Sequence, residues 1–116
     1  MSKKVAIIGS GQLAKHIAHY ISESGQMQVA GFICDFAEIG KPIDKHIVLG
    51  KIEDAEKLYK SGSFDSILIG VGYSRILYKK TVFDRFNGVI PFATFIHKSC
   101  FIDSTAVIDE GCILFP

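Results

Sequence analysis

Hydrophobic positions along the chain change period several times, and each change marks an element. Lys4 to Ile8 reads Lys-Val-Ala-Ile-Ile, an apolar β-branched run that predicts a buried strand, and Gly9-Ser10-Gly11 follows it at once. Leu13, Ile17 and Ile21 then recur every four residues with Ala14 and Ala18 beside them, while Lys15, His19, Ser22 and Glu23 fall elsewhere. That spacing predicts a helix with one apolar stripe, stopped by Gly25. Gln28 to Ile33 is a second strand, ending at Cys34-Asp35. Glu38 to Lys45, with Gly40, Pro42 and Asp44, reads as a loop, and Ile47 to Leu49 as a short strand. Asp54 to Lys60 is a short helix closed by Ser61-Gly62-Ser63, its charges forming a solvated face. Ser66 to Ile69 is the next buried strand, and Gly70-Val71-Gly72 a second glycine turn. A further helix is predicted to begin near Tyr73, with Tyr78, Val82 and Phe86 on one face, Lys79, Lys80 and Arg85 exposed, and Asn87-Gly88 at its end.

Strand, glycine turn, helix, strand in one chain direction gives parallel strands joined by right-handed crossovers. Residues 1–91 are therefore expected to form an α/β domain, a Rossmann-like parallel sheet with flanking helices.

From Ile96 the period becomes six. Aliphatic residues stand at Ile96, Ile102, Ile108 and Leu114, and a small residue, Cys100, Ala106 or Cys112, sits four places after each of the first three. Such hexads belong to parallel β-helices, in which the aliphatic residue points inward and the small one fits a crowded corner. Residues 92–116 are read as the start of such a helix, a single coil of three hexads. Cys100 and Cys112 then serve packing, and His97, at the second hexad position, faces outward.

Composition narrows the remaining classes. The 116 residues give room for one domain and a short appendage, with 48% hydrophobic and 22% charged residues, as in a packed domain. Thirteen Lys and Arg against twelve Asp and Glu leave a net charge of +1, so no basic field for nucleic acid is expected. No apolar run approaches the roughly 18 residues of a membrane span, and Met-Ser-Lys-Lys-Val passes straight into the first strand, which makes a cytoplasmic protein the expectation. Cys34, Cys100 and Cys112 supply neither a disulfide framework nor a CxxC pair, and no structural metal is expected.

The candidate chemistry lies in the glycine turns. Gly9-Ser10-Gly11-Gln12-Leu13-Ala14 fits GxGxxG/A, in which the first glycine allows the turn, the second lets a phosphate approach the backbone, and Ala14 permits close helix packing. Amide groups at the helix start would face the anion. A tight strand-to-helix turn also needs glycine with no ligand at all, so an empty turn remains open. Asp35 stands where dinucleotide folds place an acid on a ribose hydroxyl, or is simply a solvated strand end. Ligands in open parallel sheets bind outside the carboxyl ends of the strands, so Gly9 to Leu13, Asp35 and Gly70 to Arg75 are expected to converge, with Arg75 either holding a phosphate or lying on the surface. Cys34 reads as a small core residue.

The two glycine turns, the acid and the terminal hexads together resemble the bacterial nucleotide-sugar acetyltransferases of the sialic-acid O-acetyltransferase type. The most specific stretch is Phe92-Ala-Thr-Phe-Ile-His-Lys-Ser-Cys-Phe-Ile-Asp-Ser-Thr-Ala-Val-Ile-Asp-Glu-Gly, which looks like that family's junction between its two domains. The resemblance implies an N-terminal domain that binds a nucleotide-linked sugar, followed by a left-handed hexapeptide β-helix that trimerises. It implies acetyl transfer from acetyl-CoA to a sugar amine or hydroxyl in surface glycan synthesis, with a histidine of a later coil as base. One coil has room for neither that histidine nor acetyl-CoA, so the chain is expected to be a fragment of the parent enzyme, binding the acceptor without catalysis. His16, His19, His46 and His97 do not match the catalytic position, and no catalytic residue is assigned. The expected substrate contacts are Gly9, Ser10, Gly11, Gln12, Leu13, Lys15, Asp35, Gly70, Gly72, Tyr73 and Arg75, with a UDP-linked amino sugar as partner. A single coil with an open side would also promote self-association. Two other classes stay open: an NAD(H)-binding redox or sensing module, and a non-catalytic interaction protein.

Overall fold

A computed structural model describes residues 3–9, 11–25, 27–35, 38–43, 45–71, 76–93, 95–96 and 113–114. Strand β1 (Lys4–Ile8) is buried from Val5 onward and pairs in parallel with β2 (Gln28–Ile33) on one side and β5 (Ser66–Ile69) on the other. Between β1 and β2 runs helix α1 (Gln12–Ser24). Its buried residues are Ala14, Ile17, Ala18 and Ile21, the stripe that the four-residue spacing predicts. It ends where Gly25 adopts a left-handed φ of 71° and donates its N–H to the Ile21 carbonyl.

Beyond β2 the chain forms β3 (Pro42–Ile43) and β4 (His46–Gly50), so the sheet order is β3-β4-β2-β1-β5. β4 is parallel to β2, whereas β3 and β4 make an antiparallel hairpin pairing Pro42 with Ile47 and Ile43 with His46. The sequence pattern predicts a loop over Glu38 to Lys45, whereas the structure places the short strand β3 within it. Ile43 is buried in the same apolar cluster as Phe32 and Val48, which draws the segment onto the sheet. Pro42 is tolerated because β3 is an edge strand.

After β4 come a 3-10 turn (Ile52–Asp54), helix α2 (Ala55–Lys60), β5 and helix α3 (Ile76–Phe86). Ile52, Ala55, Val82 and Phe86 pack with Ala6, Ile8, Ile67 and Ile69 on one face of the sheet, while α1 packs with Val5, Ile7, Phe32 and Leu68 on the other. Glu56, Lys57 and Lys60 of α2 are exposed as expected, with Lys60 and Glu56 paired at 3.1 Å. Past α3, the Ile67 N–H donates to the Pro91 carbonyl and the Ala93 N–H to the Ile67 carbonyl, so Phe92 continues the parallel pairing beside β5. The domain is thus an α/β fold, a Rossmann-like, mostly parallel sheet with helices on both faces.

Two short strands follow, β6 (Phe95–Ile96) and β7 (Ile113–Leu114). They pair in parallel, Phe95 with Ile113 and Ile96 with Leu114. Paired residues are eighteen positions apart, three times the six-residue period, and Ile96 and Leu114 are both hexad-opening residues. Cys100, Ala106, Cys112 and His97 lie outside the described residues.

The strand ends are held by close backbone contact. Gly9 has a φ of 120°, and a Cβ there would lie 2.7 Å from the Gly70 carbonyl oxygen. A Cβ on Gly70 would lie 2.9 Å from Ile7 Cγ2 and 3.0 Å from Ala14 Cα. Gly70→Ala is therefore expected to destabilise the fold by about 1–3 kcal/mol, through overpacking against backbone that cannot retreat, as read from urea unfolding midpoints.

Candidate functional site

The sheet order reverses between β1 and β5: β2 and β4 build outward on one side of β1, and the chain then crosses to the other. Such a switch point leaves a crevice outside the carboxyl ends of the two strands. Backbone hydrogen bonds align those ends. The Gly9 N–H donates to the Ile33 carbonyl at 2.8 Å, the Gly70 N–H to the Ile8 carbonyl at 2.8 Å, and the Cys34 N–H to the Gly50 carbonyl at 3.1 Å. Four parallel strands thus end along one lip.

Helix α1 begins on that lip. Gly11 is its N-cap residue, with φ −84° and ψ −165°, and brings no side-chain acceptor; no acidic residue stands in the first turn. Amide groups at such a helix start carry partial positive charge and lack intrahelical partners. A Cβ built on Gly11 meets nothing within 4 Å, and its φ is open to any residue. The two glycines of the motif therefore differ. Gly9 is required by the packing of the chain on itself, whereas neither packing nor backbone conformation among the described residues requires a glycine at position 11.

Gly9 and Gly70 thus come together around Ala14, which is fully buried, while Gly11 stands clear of all three. Gln12 is exposed on the first turn of α1, with Leu13 and Lys15 half-buried beside it. Gly70, expected as a substrate contact, also has a packing role against Ile7 and Ala14. Ser10, Gly72, Tyr73 and Arg75 lie outside the described residues.

Asp35 stands at the end of β2 with an exposed side chain, and its Oδ1 accepts a hydrogen bond from the Ile52 N–H at 3.0 Å. One carboxylate oxygen is thus committed to tying the exit of β2 to the turn after β4. Asp54 caps the same turn, its Oδ2 accepting from the Lys51 N–H at 2.9 Å. The sequence reading missed this tie, because an acid and an amide seventeen residues apart carry no local signal. Cys34, beside Asp35, is buried, as a small core residue would be.

The histidines find other surroundings. His19 pairs with Glu23 at 3.2 Å on the exposed side of α1, and His46 contacts the Ser22 hydroxyl at 3.4 Å and the edge of Phe32. Among the described residues no group of three His, Cys, Asp or Glu is placed to hold a metal ion, and no helix is long and apolar enough to cross a membrane.

Fold and crevice together define a Rossmann-like domain with its opening at the topological switch point. The chain belongs to the PglD N-terminal domain family, whose model matches residues 4–86. This agrees with the resemblance to the N-terminal portion of nucleotide-sugar acetyltransferases. Among solved structures, a mutant of perosamine N-acetyltransferase from Caulobacter crescentus in complex with CoA and GDP-perosamine superimposes with a TM-score of 0.77 at 20% identity, over 96% of this chain and 50% of that one. The acetyltransferase domain of PglB from Neisseria gonorrhoeae, in complex with acetyl coenzyme A, gives a TM-score of 0.74 at 21% identity, over 97% and 53%. UDP-D-quinovosamine 4-dehydrogenase from Vibrio fischeri gives 0.66 at 21% identity, over 78% and 74%. At these identities the likeness establishes the fold. The chain spans about half the length of the two acetyltransferases. No match was found among curated proteins.

Two substitutions separate structural from ligand-facing roles. Gly11→Ala is expected to leave the urea midpoint within about 0.5 kcal/mol of the parent chain, since its methyl group meets no neighbour. Asp35→Ala removes the acceptor of the Ile52 N–H and is expected to cost about 1 kcal/mol, measured in the same way.

Proposed function

We propose that this chain is the acceptor-recognising domain of a sugar acetyltransferase, and that its crevice takes the diphosphate of a nucleotide-linked amino sugar at the start of α1. The observation that carries the reading is the open space over Gly11 beside a helix N-terminus without an acid in its first turn. Phosphate oxygens there would accept from the amides of the first turn, favoured by the helix dipole by up to about 1 kcal/mol per charge at an exposed site. Gly9, Ala14 and Gly70 hold the crevice floor rigid, so little ordering accompanies binding. Asp35 would meet the ribose through Oδ2, since Oδ1 is engaged by Ile52. Ser10, Gly72, Tyr73 and Arg75 complete the proposed contacts, Arg75 as a second phosphate ligand.

Family membership supports the acetyltransferase reading, and the GDP-perosamine complex of the Caulobacter enzyme supports a nucleotide-linked amino sugar as the ligand class. We favour a UDP-linked sugar, with GDP as the competing nucleotide. The eighteen-residue register of β6 and β7 supports the first coil of a hexapeptide β-helix, each coil three hexads long. In the whole enzyme, proposed to be a cytoplasmic homotrimer, acetyl-CoA would supply the acetyl group, and this chain's part is to hold the acceptor. None of its residues is assigned as the base.

Isothermal titration of the chain with UDP- and GDP-linked 4-amino sugars and with NADH tests the proposal. Saturable binding of a nucleotide sugar is expected, weakened at least about tenfold by Gly11→Val, whose branched side chain would occupy the phosphate position. Tight NADH binding with no response to any nucleotide sugar would overturn it in favour of a dinucleotide module.

A further inference from the structure

Helix α3 ends in a turn that the nucleotide site does not use, and that turn holds the chain's one asparagine, Asn87, followed by Gly88. Both residues are exposed. The Asn87 N–H closes the helix by donating to the Phe83 carbonyl at 2.9 Å, and the N–H groups of Val89 and Ile90 both turn back to the Phe86 carbonyl, at 2.9 and 3.0 Å. Between them the Gly88 N–H donates to no backbone carbonyl among the described residues. Gly88 has a left-handed φ of 82°, and a Cβ built on it would meet nothing within 4 Å.

These features meet the requirements of one reaction. A backbone nitrogen attacks the carboxamide of the residue before it most readily when that nitrogen is not hydrogen-bonded, when its own residue has no side chain to block the approach, and when the backbone between the two is free to rotate. Gly88 satisfies the first two conditions. The third follows from position, since the frayed end of a helix opens at a free energy far below that of the core.

We propose that Asn87-Gly88 is a self-modifying site, at which Asn87 is converted to aspartate and isoaspartate through a succinimide. The Gly88 nitrogen gives up its proton to hydroxide and bonds to Cγ of Asn87, and the Cγ–Nδ2 bond breaks as ammonia leaves with a proton taken from water. Water then opens the ring. Cleavage between the nitrogen and Cγ leaves aspartate; cleavage between the nitrogen and the main-chain carbonyl carbon leaves isoaspartate, whose backbone runs through Cβ and Cγ. One water enters and one ammonia leaves, with no change of oxidation state. Either product puts a negative charge at the C-terminal end of α3, where the helix dipole disfavours it. Isoaspartate also adds a carbon to the turn that brings Ile90, 1% exposed, into the core and Phe92 beside β5. The conversion thus loosens the lead into β6.

The test incubates the whole chain in mildly alkaline buffer alongside a capped peptide of residues 85–89, which sets the rate for an unconstrained Asn-Gly pair. Mass spectrometry of the tryptic fragment that contains Asn87 should show a gain of about one mass unit as NH2 is replaced by OH. Isoaspartyl methyltransferase should transfer labelled methyl groups from S-adenosylmethionine to the aged chain. A half-time within about tenfold of the peptide's, shortening as pH rises, is expected of a turn that opens readily. Asn87→Gln, whose longer side chain closes the ring far more slowly, should abolish both signals. Hydrogen exchange at the Ile90 amide should be faster in the aged chain than in the fresh chain or in aged Asn87→Gln. A half-time more than about tenfold longer than the peptide's overturns the proposal. A methyl-accepting signal undiminished in Asn87→Gln overturns it equally, and unchanged exchange at Ile90 overturns its structural consequence.

Discussion

Close contact between two glycine-bearing strand ends and one alanine organises this domain. Gly9 lies so near the Gly70 carbonyl that a Cβ would collide with it, and Gly70 is wedged between Ile7 and Ala14. Small residues at all three positions let the start of α1 sit directly on the ends of β1 and β5. Ala14 fixes the helix over that seam, and the stripe of Ile17, Ala18 and Ile21 extends the contact along the sheet. The helix cannot shift without breaking backbone contacts, so its first turn points at one place outside the strands. Close packing of this kind resists displacement, because a void or a clash of one methyl group is felt directly.

The site follows from that constraint. A reversal of strand order opens a crevice, but the seam decides what the crevice presents: helix amides, a glycine with open space above it, and beside them an acid with one oxygen, Oδ1, held by Ile52. The Asp35 to Ile52 hydrogen bond ties the β2 lip to the β4 lip, so the acid has a structural part in holding the strand ends. The same residue can serve structure and ligand, since a carboxylate has two oxygens and several acceptor positions.

Much of this was legible in the chain. Strands β1, β2 and β5 are short apolar runs ended by glycine or Cys-Asp, and α1 shows its period over four buried positions. The register of β6 and β7 has a direct sequence counterpart, because the hexad-opening residues Ile96 and Leu114 pair. What escaped reading depends on contacts far apart in the chain. Strand β3 is two residues long, contains a proline, and exists because Ile43 finds the Phe32 and Val48 cluster. The register shift between β1 and β2 falls next to Gly31, where φ is 154° and β4 comes so close that a Cβ would meet the Ile47 carbonyl. The different duties of Gly9 and Gly11 were likewise hidden, since the motif spells them alike and only the neighbour across the seam separates them.

The central claim is that the seam directs the first turn of α1 at a phosphate-bearing ligand. Amide chemical-shift mapping of the isotopically labelled chain during titration with a nucleotide-linked amino sugar tests it most directly. The account predicts the largest changes at the amides of Gly11, Gln12, Leu13 and Gly70, with the α1 stripe unmoved. Changes absent from those four amides while the ligand binds elsewhere on the domain would contradict it.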